Sequence, residues 1–483
     1  MSYLLETVDS PKHIGSLLVF QPKKGQTAAT IKRFLKAHRE TAVAPPFNYV
    51  PVFSKLSLPK WAESHNMDMD YHIRQAALPK PGNAKQLNDL IMDLHAGILD
   101  HSRPGWIITV IEGLENQQFA IYLKIHHAYI DGASAVMRMD ALMSKSAKDL
   151  AIQPMWVEID QADEANHQFN ASVANDLEKT LAKSFAKSFK TIPKQLLTLN
   201  RNMKLQRQTT REVISTVFKS ALEAGGIAKP RQAPLPFSAP KSIFNNEVHA
   251  QRRLGIGGIQ FLDFKAQAKQ AGVSINELAL ALVGDALEHY AESRDSAVDK
   301  ALVAVCPLGL RKEGDSSAST QIAALAIKLG EPGVDIGTRL SQVHESSVDA
   351  KQDAQSMSRQ ALITYLIMVG GLAELLDRPP FNEYLPPLTN VNVSNVAGPR
   401  EDLYLSGAKL VKSIPLSTLA GGTAINITFF SIADIMEYAV LADAGAVPDA
   451  QQIADNIAAA FERLAAKSAP KAKRKTRQTA KST

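Results

Sequence analysis

The run His126-His127-Ala128-Tyr129-Ile130-Asp131-Gly132 places two imidazoles and a carboxylate close together along the chain. A neutral imidazole, with an unperturbed pKa of about 6.5, can take a proton from a hydroxyl near neutral pH and return it to a leaving group. That chemistry suits acyl transfer to an alcohol. The run follows Phe119-Ala120-Ile121-Tyr122-Leu123-Lys124-Ile125, in which Phe119, Ile121, Leu123 and Ile125 share one face of a strand by period-two alternation. His127 continues that buried face. His126 falls on the side of Tyr122 and Lys124, so the two histidines point apart and cannot be equivalent. The same divergence argues against His126, His127 and Asp131 as metal ligands, and no metal is expected. A lone histidine on an apolar face is usually a core residue; the second histidine and the Asp-Gly pair make His127 the candidate general base.

The elements that must position these residues follow from periodicity. Ala135, Met139, Leu142 and Met143 have helical spacing, which puts Asp131-Gly132 in the turn between strand and helix. The Asp131 carboxylate can accept from backbone amides or an imidazole N–H there. Gly132 relieves the backbone in the turn. Up to residue 155, strand-like runs such as Gly15 to Phe20 alternate with helical ones such as Ala28 to His38 and Gln86 to Leu99, an α/β pattern. Residues 156–245 read as a helical, basic connector closed by Pro230, Pro234, Pro236 and Pro240. Within it Leu177, Leu181, Phe185, Phe189 and Ile192 form an apolar stripe between Lys179, Lys183, Lys187, Lys190 and Lys194. Such a basic amphipathic helix either packs on the protein with its lysines in water or faces anionic lipid. Residues 246–466 read as a second α/β unit. In it Ser274 and Glu277 form a capping box, and Val391 and Val393 begin a strand that ends at Gly398-Pro399.

Other chemistries lack an anchor. There is no Gly-x-Ser-x-Gly elbow, no Gly-x-x-x-x-Gly-Lys-Ser/Thr loop and no paired Cys-x-x-Cys, and Gly255-Ile256-Gly257-Gly258 lacks dinucleotide spacing. The single cysteine, Cys306, ends the apolar run Ala301 to Val305 and reads as core.

His126 to Gly132 matches the HHxxxDG motif, and here the chain resembles the bifunctional wax ester synthase/diacylglycerol acyltransferase family over nearly its whole length. Upstream, Asp70 to Arg74, Ala77 to Gly82 and Ser102 to Trp106 match landmarks of its N-terminal part. Downstream, Pro307-Leu308-Gly309-Leu310-Arg311, Thr320-Gln321-Ile322 and Asn392 to Pro399 match those of its C-terminal part. The resemblance implies an α/β (α+β) fold of two chloramphenicol-acetyltransferase-like subdomains joined by the connector, with the site at their interface. It implies His127 as base, with His126 beside it, Asp131 in a structural part, and Gly132, Asn276, Arg311 and Asn395 in support. It further implies acyl-CoA as co-substrate with no bound cofactor, and a fatty alcohol or diacylglycerol as acceptor. Asn276 and the backbone amides near Asn395 are candidate oxyanion donors. The alternatives are the same fold serving another hydroxyl acceptor, and a non-catalytic lipid-associating protein. Three positions depart from the family pattern: Gly105 in Pro104-Gly105-Trp106 for the usual Pro-Leu-Trp, Glu277 after Asn276 for the usual Asp, and Ala397 for a Pro.

Composition agrees with a globular chain. Of 483 residues 45% are hydrophobic and 21% charged, and the net charge of +6 is concentrated at the end, where residues 467–483 hold seven basic side chains and no acid. That tail reads as a disordered, solvated end or as an electrostatic tether to anionic lipid or nucleic acid. The start Met1-Ser2-Tyr3-Leu4-Leu5-Glu6 lacks a basic, then apolar, leader pattern, and no uncharged stretch reads as a membrane span. A cytoplasmic enzyme is expected, with peripheral contact at a membrane or lipid-droplet surface and no nucleic-acid partner.

Overall fold

The structure, a computed structural model, describes residues 3, 6–54, 57–65, 67–130, 132–157, 233–234, 237–309, 322–357, 386–419 and 422–468. The basic helix expected over 177–194, most of the connector, and the tail beyond residue 468 lie outside the described residues.

The first half of the chain forms β1 (His13–Gln21), α1 (Thr27–Glu40), β2 (Tyr49–Ser54), β3 (Ser57–Glu63), β4 (Ile73–Ala77), α2 (Ala84–Ala96), β5 (Trp106–Glu112), β6 (Phe119–His126) and α3 (Gly132–Leu142). The second half begins with β7 (Arg252–Gln260), α4 (Phe261–Ala271), α5 (Ile275–Glu292), β8 (Val303–Gly309), β9 (Ile322–Lys328) and α6 (Ile336–Ser356). It continues with β10 (Val391–Ala397), β11 (Tyr404–Leu405), β12 (Ala408–Leu416), β13 (Ile425–Ile432), β14 (Ile435–Asp443) and α7 (Ala450–Ser468). Two six-stranded sheets result, in the orders β11-β12-β1-β6-β5-β4 and β7-β14-β13-β10-β8-β9, with β2 and β3 as a separate hairpin. Parallel pairs (β4 with β5, β10 with β13 and with β8) sit among antiparallel ones, so both sheets are mixed.

The first sheet takes its edge strands β11 and β12 from the second half of the chain. β12 comes late in the sequence yet runs antiparallel to β1, from Gly15 opposite Leu416 to Gln21 opposite Lys409. A division of the chain at residue 245 does not anticipate this crossover. Its physical reason is that β1, already bonded to β6 on one side, needs a partner for the peptide groups on the other. Ile414 and Leu416 on β12 bury with Leu17 and Val19 of β1 in a cluster that also takes Leu254, Ala439 and Leu441 from β7 and β14. That cluster joins the halves, helped by the Asn88 side-chain amide, which donates to the Leu254 carbonyl at 2.8 Å.

The capping box at α5 forms as its sequence predicts: the Glu277 amide donates to Ser274 Oγ at 3.2 Å and the Ser274 amide to Glu277 Oε2 at 2.9 Å. The same carboxylate accepts from Lys351 Nζ at 2.9 Å and His344 Nδ1 at 3.1 Å on α6. Burial pushes this acid up, but the hydrogen bonds from Ser274, Lys351 and His344 outweigh it and hold it at about 2. The acid at 277 therefore fixes the start of α5 and its contact with α6. Cys306 is fully buried, and burial raises its thiol to about 11, in keeping with a core residue.

Candidate active site

β6 is buried on both faces, and its alternation sorts as the sequence predicts. Phe119, Ile121 and Ile125 join one core cluster, with Leu123 packed at its edge, while Ala120 and Tyr122 join the cluster between the halves. Lys124, on the Tyr122 side, sends its ammonium to the carbonyls of Leu94, at 2.9 Å, and Gly97, where α2 ends and its last carbonyls lack helical partners. The ladder of β6 with β1 stops at the pair His13 and His126. The chain then turns: the Tyr129 amide donates to the His126 carbonyl at 3.0 Å.

This turn is tied down on every side. The His126 amide donates to the Gly105 carbonyl at 2.8 Å and the His127 amide to the Lys12 carbonyl at 2.9 Å. The Gly105 amide donates to the Tyr129 hydroxyl at 2.9 Å, which donates to the Tyr49 carbonyl at 2.7 Å. His126 is fully buried, and its Nδ1 accepts from the Ala128 amide at 3.1 Å, which leaves the proton of the neutral ring on Nε2. Burial, together with the nearby charges of His101 and His127, pushes this imidazole down to about 3. His126 therefore stays neutral and shapes the turn.

His127 differs from its expectation. The sequence puts it on the buried face, whereas it is exposed, because the strand ends one residue earlier and the turn carries it out of the alternation. A base that must meet a substrate hydroxyl has to be reachable, and this exposure provides that.

The remaining sequence candidates divide. Asp131 and Arg311 lie outside the described residues. Gly132 is the first residue of α3, whose helical spacing is as read. Asn276, half-buried in the first turn of α5, donates to Cys306 Sγ at 3.5 Å and is thus seated by the second half's own strands. Asn395 is half-buried on β10, opposite Phe429 of β13. On its other side β10 meets β8 only at Val391 and Asn392 among the described residues, so the two strands splay before Asn395. One residue on, Val396 packs against the cluster that holds Ile125, Tyr129 and Ile130, which brings this end of β10 to the turn that carries the two histidines. The Gly398 turn is close-packed: a Cβ there would sit 2.3 Å from the Ser431 carbonyl oxygen.

Sequence reasoning missed a group upstream. The Glu6 side chain is almost wholly buried; its Oε1 accepts from the Lys12 amide at 2.7 Å, and its Oε2 lies 2.5 Å from His101 Nε2 and 3.8 Å from His126 Nε2. Nothing local in Leu4-Leu5-Glu6 marks that acid, since its partners are brought to it by the fold alone.

A family model for the wax ester synthase/diacylglycerol acyltransferase catalytic domain matches residues 1–279, and one for the WS/DGAT C-terminal domain matches residues 318–465. The chain belongs to this family. A putative diacylglycerol O-acyltransferase of Mycobacterium bovis is 30% identical over 474 residues, covering 95% of this chain and 94% of its own. A probable diacylglycerol O-acyltransferase of Mycobacterium tuberculosis is 28% identical over 473 residues, covering 96% and 97%. Among solved structures, the wax ester synthase/diacylglycerol acyltransferase from Marinobacter aquaeolei VT8 matches with a TM-score of 0.70 at 23% identity over 97% of both chains. The first condensation domain of the calcium-dependent antibiotic synthetase matches with a TM-score of 0.55 at 13% identity, covering 96% of this chain and 94% of its own. These structures share the two-subdomain fold with the present chain. This WS/DGAT family member is accordingly an acyl-CoA-dependent acyltransferase. Among its described residues no helix is long and apolar enough to cross a membrane.

Proposed function

We propose that the protein moves a long-chain acyl group from acyl-CoA directly to a fatty alcohol, to diacylglycerol, or to both, with His127 as general base. His127 takes the hydroxyl proton as the alcohol oxygen attacks the thioester carbonyl. The tetrahedral intermediate then collapses, the C–S bond breaks, and the proton passes from His127 to the leaving CoA thiolate. Backbone amides on the splayed end of β10 near Asn395, or the Asn276 side chain, serve the oxyanion. The observation that carries this reading is the contrast within the histidine pair: His126 buried, neutral and hydrogen-bonded into the turn, His127 exposed on a backbone fixed at every neighbouring residue.

Purified protein given palmitoyl-CoA should release CoA with hexadecanol, with 1,2-dipalmitoylglycerol, or with both, and mass spectrometry should find the matching ester. Release with neither acceptor by folded protein rejects long-chain transfer and favours a different hydroxyl substrate.

Peripheral contact with lipid is part of this reading. The β2–β3 hairpin leaves Val52, Phe53 and Trp61 45–49% exposed, and the Trp61 ring meets Tyr129 of the catalytic turn at 5.0 Å. Aromatic side chains of this kind settle at membrane interfaces. Replacing Phe53 and Trp61 by serine should reduce flotation with phosphatidylglycerol vesicles about fivefold. Unchanged flotation removes the hairpin from the lipid contact.

A further inference from the structure

Tyr3 and residues 6–12, ahead of β1, touch the catalytic turn from outside. Tyr3 is buried, and its ring lies parallel to the His126 imidazole, with centroids 3.5 Å apart and planes 3° from coplanar. It meets the His101 ring edge-on at 5.0 Å. The segment is held in place by the Glu6 carboxylate on the Lys12 amide and His101, and by Arg252 of β7, whose guanidinium donates to the Asp9 carbonyl at 3.0 Å. Its end, Lys12, accepts the His127 amide. One stretch of chain thus contacts both histidines and the second half.

The ring of Tyr3 fits there because residue 105 has no side chain. A Cβ at Gly105 would lie 2.5 Å from the Tyr3 hydroxyl and 2.8 Å from Tyr129 Cε2, both too close without a shift, and a tight 3.1 Å from His126 Cβ. The backbone of Gly105 does not require glycine; the space does. A leucine at 105 has to displace the Tyr3 hydroxyl, and with it the ring stacked on His126, as well as the edge of the Tyr129 ring.

We propose that Tyr3 and Gly105 are a matched pair of positioning residues, in which the Tyr3 ring, seated in the space a side chain at 105 would fill, presses His126 into the turn that presents His127. The inference rests on the reading of His127 as the base. Lifting the ring frees His126 from its stack, weakens its hold on the Ala128 amide, and lets the turn shift. A base displaced by about 1 Å loses roughly a hundredfold in rate. Binding of acyl-CoA does not depend on that displacement, so kcat falls while KM holds.

The test is a size-swap cycle on the full chain: wild type, Gly105→Leu, Tyr3→Ala, and both together. Gly105→Leu should lower kcat about fiftyfold with KM for palmitoyl-CoA within about threefold; Tyr3→Ala alone should lower it to a similar extent by leaving His126 unstacked; and in the double variant, where the leucine fills the vacated space against His126, at least about tenfold should be recovered. The His127 ring resonances, followed by NMR in the same four proteins, should move in Gly105→Leu and return toward their wild-type positions in the double variant. The pairing is overturned if Gly105→Leu keeps kcat within about threefold or if the double variant is no better than Gly105→Leu. Should Gly105→Leu not fold, Gly105→Ala takes its place under the same criteria, since its Cβ alone meets the Tyr3 hydroxyl. A wild type that transfers no acyl group counts against the proposed reaction, and the NMR cycle then decides the pairing by itself.

Discussion

His127→Ala lowers kcat for acyl transfer about a thousandfold, while the KM for acyl-CoA changes by no more than about threefold. The argument is one of differential stabilisation. The imidazole contributes when the alcohol proton is in flight, so its loss appears in the transition state and leaves ground-state binding of CoA nearly intact. About a thousandfold corresponds to roughly 4 kcal/mol, within the range of a well-placed general base. His127 is suited to the task by position: its amide is bonded to Lys12, its neighbours 126, 128 and 129 are bonded within the turn, and its side chain is exposed. His126→Ala should act differently. It removes a buried ring that stacks on Tyr3 and receives the Ala128 amide, so it should lower stability and kcat together, yet keep the acid limb of the pH–rate profile. Steady-state kinetics across pH checks both. A His127→Ala enzyme within about tenfold of wild type would remove His127 as the base.

Glu437→Gln stabilises the protein at pH 8 by about 3 kcal/mol and leaves its stability at pH 4 nearly unchanged. Glu437 sits on β14, almost wholly buried where β14 crosses β12, and its Oε2 accepts from the Ser413 amide at 2.7 Å. Burial raises its pKa to about 7; the Ser413 amide and the charge of Lys412 only partly oppose this. The unfolded chain holds the same carboxyl near its ordinary value of 4.5. Between those two values the folded state binds more protons than the unfolded one, so stability falls as pH rises from about 4.5 to about 7. A shift of that size is worth about 3 kcal/mol. Glutamine keeps the acceptor for Ser413 and cannot ionise. Ser413 also places its hydroxyl 3.9 Å from Met139 Sδ on α3, so the charge would be buried beside the helix that follows the catalytic turn. Denaturant unfolding of both proteins at pH 4 and pH 8 measures the difference. Equal stabilities at pH 8 would show that the carboxylate reaches water when it ionises.

Much of the molecule was legible from local pattern. Alternation from Phe119 to Ile125 gave β6 and the sorting of its two faces, because a strand's side chains point up and down whatever their partners are. The capping box at Ser274 and Glu277, the helix after Gly132 and the strand ending at Gly398 are also local, since each is closed by residues a few positions apart. The histidine pair was legible for the same reason, as was the family whose motif it matches.

Tertiary structure decided what depends on distant partners. Alternation alone carried His127 to the buried face; the end of the ladder at His13 turned it outward, and where a ladder ends depends on the partner strand. β12 joined the first sheet because β1 had an unpaired side, a need invisible in the residues of β12. Glu6 and Tyr3 became part of the site only when folding brought His101, Gly105 and His126 to them. Glycine at 105 shows the division most clearly. The sequence records that a side chain is missing there, but which ring occupies the space is fixed by packing, since excluded volume acts between neighbours in space and carries no mark along the chain.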